Sequence, residues 1–214
     1  MEGTSNGQSQ RLMRLISNTT VWTDIPRTGT TTIIETLRKS GIPVREIDSH
    51  KPGDDYRYPH AMISVRHPVL WLRSLYARSV NHGVMRQFEP MEGLYQVYGE
   101  DLRVWHVFMM ATTSCAGVID GFGEYWTGQT RSDAHLIRNE SIIADLDAAM
   151  VRCGIPTPIQ SIPDQNVSSD LPIIDPEWAR DIYALNPKIY KAWGYDWDYK
   201  QYEPEPESSQ PRER

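Results

Sequence analysis

Residues 19–39 read TTVWTDIPRTGTTTIIETLRK, and the pattern of this segment changes halfway along. The first part, residues 19–25, alternates and is rich in β-branched and aromatic side chains, which predicts a strand. Ile33, Ile34 and Leu37 then have helical spacing, which predicts a helix as far as Lys39, and Gly41 ends it. Between the two elements the chain turns sharply at Gly29. This strand, turn and helix predict the beginning of an α/β domain.

Strands and helices continue to alternate along the chain. Further strands are predicted at Val44–Asp48, Ala61–Val65 and His135–Arg138, and further helices at 68–81, Ser141–Arg152 and Glu177–Leu185. This order predicts a three-layer α/β/α fold with a central parallel sheet. The middle of the chain is rich in Met and aromatic residues, and we expect it to form a helical cap with a helix at 101–119. One domain, residues 19–199, is then flanked by a polar leader (1–18) and a disordered acidic, Pro-containing tail (200–214).

Composition narrows the class of protein. The chain has 214 residues with 22 Lys+Arg against 28 Asp+Glu, and its formal net charge of −6 argues against a nucleic-acid binder. Two cysteines, Cys115 and Cys153, supply neither a disulfide framework nor a four-ligand zinc site. The first ten residues lack the apolar run of a secretory signal, and the strongly apolar stretches are too short to cross a bilayer. We therefore expect a soluble, cytoplasmic protein without membrane or nucleic-acid partners.

The turn at residues 26–32 has the residues of an anion-binding loop. Backbone N–H groups at a helix start point at one spot, and Gly29 lets the backbone approach a ligand closely. Arg27 adds a fixed positive charge, and Thr28, Thr30, Thr31 and Thr32 add hydroxyl groups. A Walker A loop needs an earlier glycine and a lysine, whereas this chain has Asp24 and Thr30 at those positions. The loop therefore predicts phosphate binding, and the missing glycine and lysine disfavour Mg-nucleotide hydrolysis.

A second candidate anion site follows the predicted strand that ends at Val65. Arg66 lies at the strand end, where α/β folds bind ligands, and Ser74 follows eight residues later in the next helix. Arg78, one turn beyond Ser74, shares its helical face. The structural alternatives are an ordinary salt bridge for Arg66 and an exposed helix serine for Ser74.

The two segments Pro-Arg-Thr-Gly-Thr-Thr and Val-Arg-His-Pro resemble the phosphate-binding motifs of sulfotransferases that use 3′-phosphoadenosine 5′-phosphosulfate (PAPS). The resemblance implies a P-loop-like fold, PAPS as the donor co-substrate, no metal, and a small-molecule or carbohydrate acceptor carrying a hydroxyl or an amine. Residues 27–32 would hold the 5′-phosphosulfate, and Arg66, Ser74 and Arg78 the 3′-phosphate. The chain departs from the family in lacking the C-terminal Gly-rich loop on the 3′-phosphate; Arg78, Arg131 or Lys188 are candidates to replace it.

The resemblance also requires a catalytic base beside the acceptor. His50 follows the second predicted strand, where cytosolic sulfotransferases carry a catalytic histidine, and Glu46 or Asp48 is the acidic alternative. Arg27 is assigned a catalytic role because charge builds on the leaving phosphate. Two other functions stay open: a nucleotide-binding module without turnover, and a nucleotide kinase or phosphohydrolase. The sequence leaves the identity of the acceptor and the oligomeric state open.

Overall fold

A five-stranded sheet lies at the centre of the fold in the computed structural model. The structure describes residues 12–25, 27–47, 54–82, 97, 119–120, 133–155, 158–160 and 171–203. The strands are β1 (Leu12–Ser17), β2 (Thr20–Asp24), β3 (Arg45–Ile47), β4 (His60–Val65) and β5 (His135–Arg138). Their order in the sheet is β3-β1-β2-β4-β5. The prediction of an α/β sheet is therefore confirmed.

The sheet is mostly parallel, and this corrects the expectation of a purely parallel one. β2, β4 and β5 run in the same direction, while β1 is antiparallel to both of its neighbours, β2 and β3. A two-residue turn, Asn18–Thr19, joins β1 to β2, and so short a connection permits only antiparallel pairing. Since β3 is also antiparallel to β1, it points the same way as β2. Four of the five strands therefore end at one edge of the sheet.

β1 also corrects the assignment of residues 1–18 to a polar leader. Residues 12–17 read LMRLIS and contribute the buried Met13 and Ile16 to the core. Arg14 lies in the middle of this strand and is itself buried, because it pairs with acidic side chains of the neighbouring strands. Because Arg14 interrupts the apolar pattern, the sequence alone does not indicate a strand at residues 12–17.

Four of the described helices lie close to predicted ranges: α1 (Thr30–Lys39), α2 (Pro68–His82), α3 (Ile142–Arg152) and α4 (Pro176–Leu185). A further helix, α5 (Pro187–Trp193), was not predicted. Short 3₁₀ turns lie at Asp54–Arg57, Asn139–Ser141 and Tyr199–Tyr202. Proline at the first position of α2, α4 and α5 suits a helix start, where no N–H is needed. The predicted helix at 101–119 lies outside the described residues except for Ile119.

Apolar side chains cover both faces of the sheet. On one face Ile63 and Val65 of β4 pack with α2, α4 and α5, and on the other Met62 packs with α1 and α3. Successive strand residues point to opposite faces, so β4 is buried on both. Helices on both sides of the sheet agree with the expected layering.

The ordered domain extends beyond residue 199, the end predicted for it. Tyr199 is buried and its hydroxyl donates to the Ile174 carbonyl at 3.0 Å. Glu203 forms an ion pair with Arg73 of α2 at 2.6 Å. The first residues of the predicted tail are thus anchored to the core, and the remainder lies outside the described residues. Within the described ranges, every helix is too short or too polar to span a bilayer.

Candidate anion-binding site

The two predicted phosphate motifs meet at the edge of the sheet where β2 and β4 end. These strands are adjacent and parallel, with Thr23 opposite Ile63, so the residues that follow them emerge side by side. The loop before α1 continues from β2, and Arg66 continues from β4. Segments far apart in the chain therefore share one site at the carboxyl ends of the strands, where open α/β sheets bind ligands.

Gly29 is required at the start of α1 for two reasons. Its backbone is left-handed, with φ of 87°, which costs a glycine little. A Cβ at this position would also strike the Asn139 side chain and lie 2.9 Å from Ile142 Cδ1. The turn after β5 and the start of α3 thus pack directly on the loop. The first N–H groups of any α-helix have no acceptor within the helix, so the start of α1 favours an anion nearby.

The threonines of the loop differ in their surroundings: some form hydrogen bonds inside the protein, and one faces solvent. The Thr28 hydroxyl is fully buried, 2.6 Å from the Ile25 carbonyl and 2.7 Å from Ser64 Oγ. The Thr30 hydroxyl donates to Asp24 Oδ1. Both hydroxyls therefore hold the loop on the sheet, which differs from the ligand role expected for them. Thr31 is exposed and Thr32 is buried.

Arg27 joins the two motifs. Its Nε donates to Ser74 Oγ at 3.1 Å, and its carbonyl oxygen accepts from Arg66 Nη1 at 3.5 Å. Arg27 has a φ of 72°, a left-handed conformation that costs a non-glycine residue about 1–2 kcal/mol. The side chains of Arg27, Arg66 and Ser74 are thus brought together as predicted. They converge although 47 residues separate Arg27 from Ser74.

Among the described residues, the charged side chains that act on Arg66 are Glu140, Arg73 and Arg27. Burial lowers the pKa of the Arg66 guanidinium, and the neighbouring Arg73 and Arg27 lower it further, while Glu140 acts in the opposite direction. Nε of Arg66 is buried and has no hydrogen-bond partner among the described residues. A buried cation with an unused donor and cationic neighbours is stabilised by a bound anion. The electrostatics of the site therefore favour a ligand carrying negative charge.

Glu140 fixes the backbone on the other side of Arg66. Its Oε1 accepts from the His67 N–H at 3.0 Å, and its Oε2 accepts from the Tyr195 hydroxyl at 2.5 Å. His67 is fully buried, and burial lowers the pKa of its imidazole to about 4, so the ring is neutral at pH 7. Its Nε2 is 2.8 Å from the Asp196 carbonyl, and tyrosine rings surround it. These contacts give His67 a structural role between the strand end and the C-terminal helices.

A second charged group, linked to the loop, was missed in the sequence. Arg14 of β1 contacts Asp24 Oδ2 at 3.4 Å and Glu46 Oε1 at 2.6 Å. Burial raises the pKa of Asp24 to about 6, against the opposing effects of its bonds to Thr30 and Arg14. Glu46, a predicted candidate for the base, lies on β3 with its carboxylate exposed. The only sequence signal for Arg14 and Asp24 is a charge inside an apolar strand, which predicts a buried partner.

Several predicted residues fall outside this description. His50, Asp48 and Arg131 lie outside the described residues, as does the side chain of Arg78 within α2. Lys188 is at the start of α5, where its backbone N–H donates to Asp120 Oδ2 at 3.4 Å. The described part of the site can bind an anion through Arg27, Arg66, Ser74 and the N–H groups after Gly29. Comparison with protein-family models, curated proteins and solved structures finds no match for this chain.

Proposed function

We propose that the protein is a PAPS-dependent sulfotransferase that moves a sulfuryl group to a hydroxyl or amine of a small-molecule or carbohydrate acceptor. One observation carries the proposal: the two sequence motifs, which resemble the donor-binding motifs of that family, meet in space through Arg27, Ser74 and Arg66. The turn at Gly29 and the strand end at Arg66 then hold the two phosphate ends of one nucleotide. On this proposal the α/β fold is P-loop-like.

The donor would be bound by its charges. Its 5′-phosphosulfate lies against the first N–H groups of α1 and the Arg27 guanidinium, and its 3′-phosphate against Arg66. The nearby guanidinium groups of Arg27 and Arg73 and the Nε of Arg66, which has no hydrogen-bond partner among the described residues, support this assignment. Ser74, which already bonds to Arg27, holds that guanidinium in place beside both phosphates.

The transfer itself breaks the bond between sulfur and the bridging oxygen of the 5′-phosphate. The acceptor oxygen or nitrogen forms a new bond to sulfur, and the electron pair leaves on the phosphate of 3′-phosphoadenosine 5′-phosphate (PAP). Arg27 and the loop N–H groups stabilise that developing charge by electrostatics. Arg27 serves as a fixed positive charge and not as a general acid, because an arginine guanidinium is not deprotonated in proteins.

The proton of the acceptor goes to a base near the end of β3. β3 runs in the same direction as β2, so the end of β3 at Ile47 is at the same edge of the sheet as the anion site. His50 and Glu46 are the proposed bases. Glu46 is exposed and can be reached by an acceptor, and Arg14 connects it with Asp24 beside the loop.

Calorimetry with PAP and with ATP, each with and without Mg²⁺, tests the donor. We expect metal-independent preference for PAP; tight Mg-dependent binding of ATP would instead favour a kinase or phosphohydrolase. Incubation with labelled PAPS and a mixture of acceptors then tests turnover. Transfer of label supports the enzyme, whereas PAP binding without transfer would leave a nucleotide-binding module.

Glu46→Gln tests the base, with Glu35→Gln on the exposed face of α1 as the matched control. If Glu46 takes the proton, kcat falls at least tenfold while PAP affinity stays the same. Equal kcat in the two variants would exclude Glu46 as the base. His50 would then be the candidate, and His50→Ala tests it in the same assay.

A further inference from the structure

A second group of chemically reactive side chains lies at the opposite edge of the sheet from the anion site. His60 is the first residue of β4, His135 is the first residue of β5, and Cys153 directly follows α3. One ligand atom from each residue lies within 4.8 Å of the other two. Neither the anion site nor the proposed reaction uses these residues.

The sheet register explains why they converge. His135 is opposite Met62 and His60 is two residues before Met62, so both imidazoles lie on the same face as Met62. Met62 packs against α3, and Cys153 ends that helix on the same face. Two strands and a helix therefore bring the three side chains to one place.

The backbone that carries these residues is well anchored. The His60 N–H donates to the Thr19 carbonyl at 2.9 Å, and the Cys153 N–H donates to the Ala149 carbonyl at 2.9 Å. Cys153 is buried, whereas both histidines are half-buried and can be reached from solvent. A preorganised set of this kind loses little entropy when it binds a ligand.

Two imidazoles and one thiol form a set of donors that suits Zn²⁺. Zinc binds histidine nitrogen at about 2.0–2.1 Å and cysteine sulfur at about 2.3 Å, which places tetrahedral ligand atoms roughly 3.3–3.7 Å apart. The present separation of up to 4.8 Å closes to that range through side-chain movements of about 1 Å. Three protein ligands leave one position for water or another ligand.

We propose that His60, His135 and Cys153 bind a zinc ion that joins the beginnings of β4 and β5 to the end of α3. On binding, a Zn–S bond forms and the thiol proton is released to solvent. The site is separate from the donor site, so it stands whether or not the protein transfers sulfuryl groups.

Co²⁺ titration of the full chain, purified and stripped of metal with a chelator, tests the proposal. Co²⁺ takes the tetrahedral geometry of zinc sites, and a thiolate ligand adds an intense charge-transfer absorption. We expect this absorption on addition of Co²⁺, its loss on addition of excess Zn²⁺, and a rise in Tm with either metal. Cys115→Ser, a change at the other cysteine, should leave the spectrum unchanged.

Cys153→Ser should abolish the charge-transfer absorption. Because Cys153 is buried, His60→Ala and His135→Ala serve as second variants, checked for folding by circular dichroism; each should weaken Co²⁺ binding at least about tenfold. Absence of the absorption in the unsubstituted chain would overturn the proposal. So would an absorption that persists in Cys153→Ser, or Co²⁺ affinity that is equal in the two folded histidine variants and the unsubstituted chain.

Discussion

Gly29 tests the packing of the phosphate loop. Gly29→Ala adds a Cβ that collides with Asn139 and Ile142, and it places an alanine in a left-handed backbone conformation. Gly41→Ala is a matched control, because Gly41 has φ of 75° but open space around its Cβ. We expect Gly41→Ala to lose about 1–2 kcal/mol of stability with unchanged PAP affinity. Gly29→Ala should lose more stability and weaken PAP binding at least tenfold, as measured by thermal unfolding and calorimetry; equal behaviour of the two variants would contradict the close packing.

Asp24 gives the protein a predictable dependence on pH. Burial raises its pKa from 3.8 to about 6, so between these values the native state holds the proton more tightly than the unfolded chain does. The contribution of Asp24 to stability is therefore present at low pH and is lost as the pH rises through about 6.

Denaturant unfolding of the unsubstituted chain and Asp24→Asn at pH 4 and pH 7 measures this effect. The unfolding free energy of Asp24→Asn minus that of the unsubstituted chain should increase by roughly 2 kcal/mol from pH 4 to pH 7. Comparing differences cancels the constant cost of disturbing the bonds to Arg14 and Thr30. A shift in the opposite direction would mean that the Arg14 charge outweighs burial.

The proximity of Arg27, Arg66 and Ser74 was predicted from the sequence, whereas the hydrogen bonds of Thr28 and Thr30 were not. Arg27, Arg66 and Ser74 come together because strand ends and helix starts are visible in the pattern of the chain. The inward bonds of Thr28 and Thr30 depend on Ser64 and Asp24, whose positions follow only from the strand register. The set of His60, His135 and Cys153 was missed for the same reason, since no short spacing connects them.

Tyr195 connects secondary-structure elements around the site. Its hydroxyl donates to Glu140, which also accepts from the N–H of His67 just before α2. Tyr195→Phe removes a buried hydrogen bond to a carboxylate, which should cost about 1.5–3 kcal/mol of stability. Tyr183→Phe, on the more exposed face of α4, is the control and should change stability by less than about 0.5 kcal/mol. Chemical denaturation measures both, and equal stability of the two variants would count against the bond.

Most strand and helix positions were predicted, whereas β1, its direction and α5 were not. β2, β4 and β5 have no charged residue inside the strand, because Asp24 and Arg138 are the last residues of β2 and β5, so periodicity detects these strands. β1 contains Arg14, and the strand is recognisable only once Asp24 and Glu46 are placed beside it. The anchoring of Glu203 to Arg73 was also missed, because an acidic segment shows nothing of a cation far away in the chain.

The proposed function requires the whole fold to bring two distant motifs into one site for a nucleotide with two phosphate ends. Calorimetry of PAP, adenosine 5′-monophosphate and adenosine 3′-monophosphate with Arg27→Ala and Arg66→Ala tests this requirement, with Arg45→Ala on the exposed edge strand as control. We predict that PAP binds most tightly, that Arg27→Ala mainly weakens the 5′-phosphate ligands, and that Arg66→Ala mainly weakens the 3′-phosphate ligands, each at least tenfold. PAP affinity that is no better than that of either monophosphate, or that is unchanged in both variants, would rule out a shared site for the two phosphates.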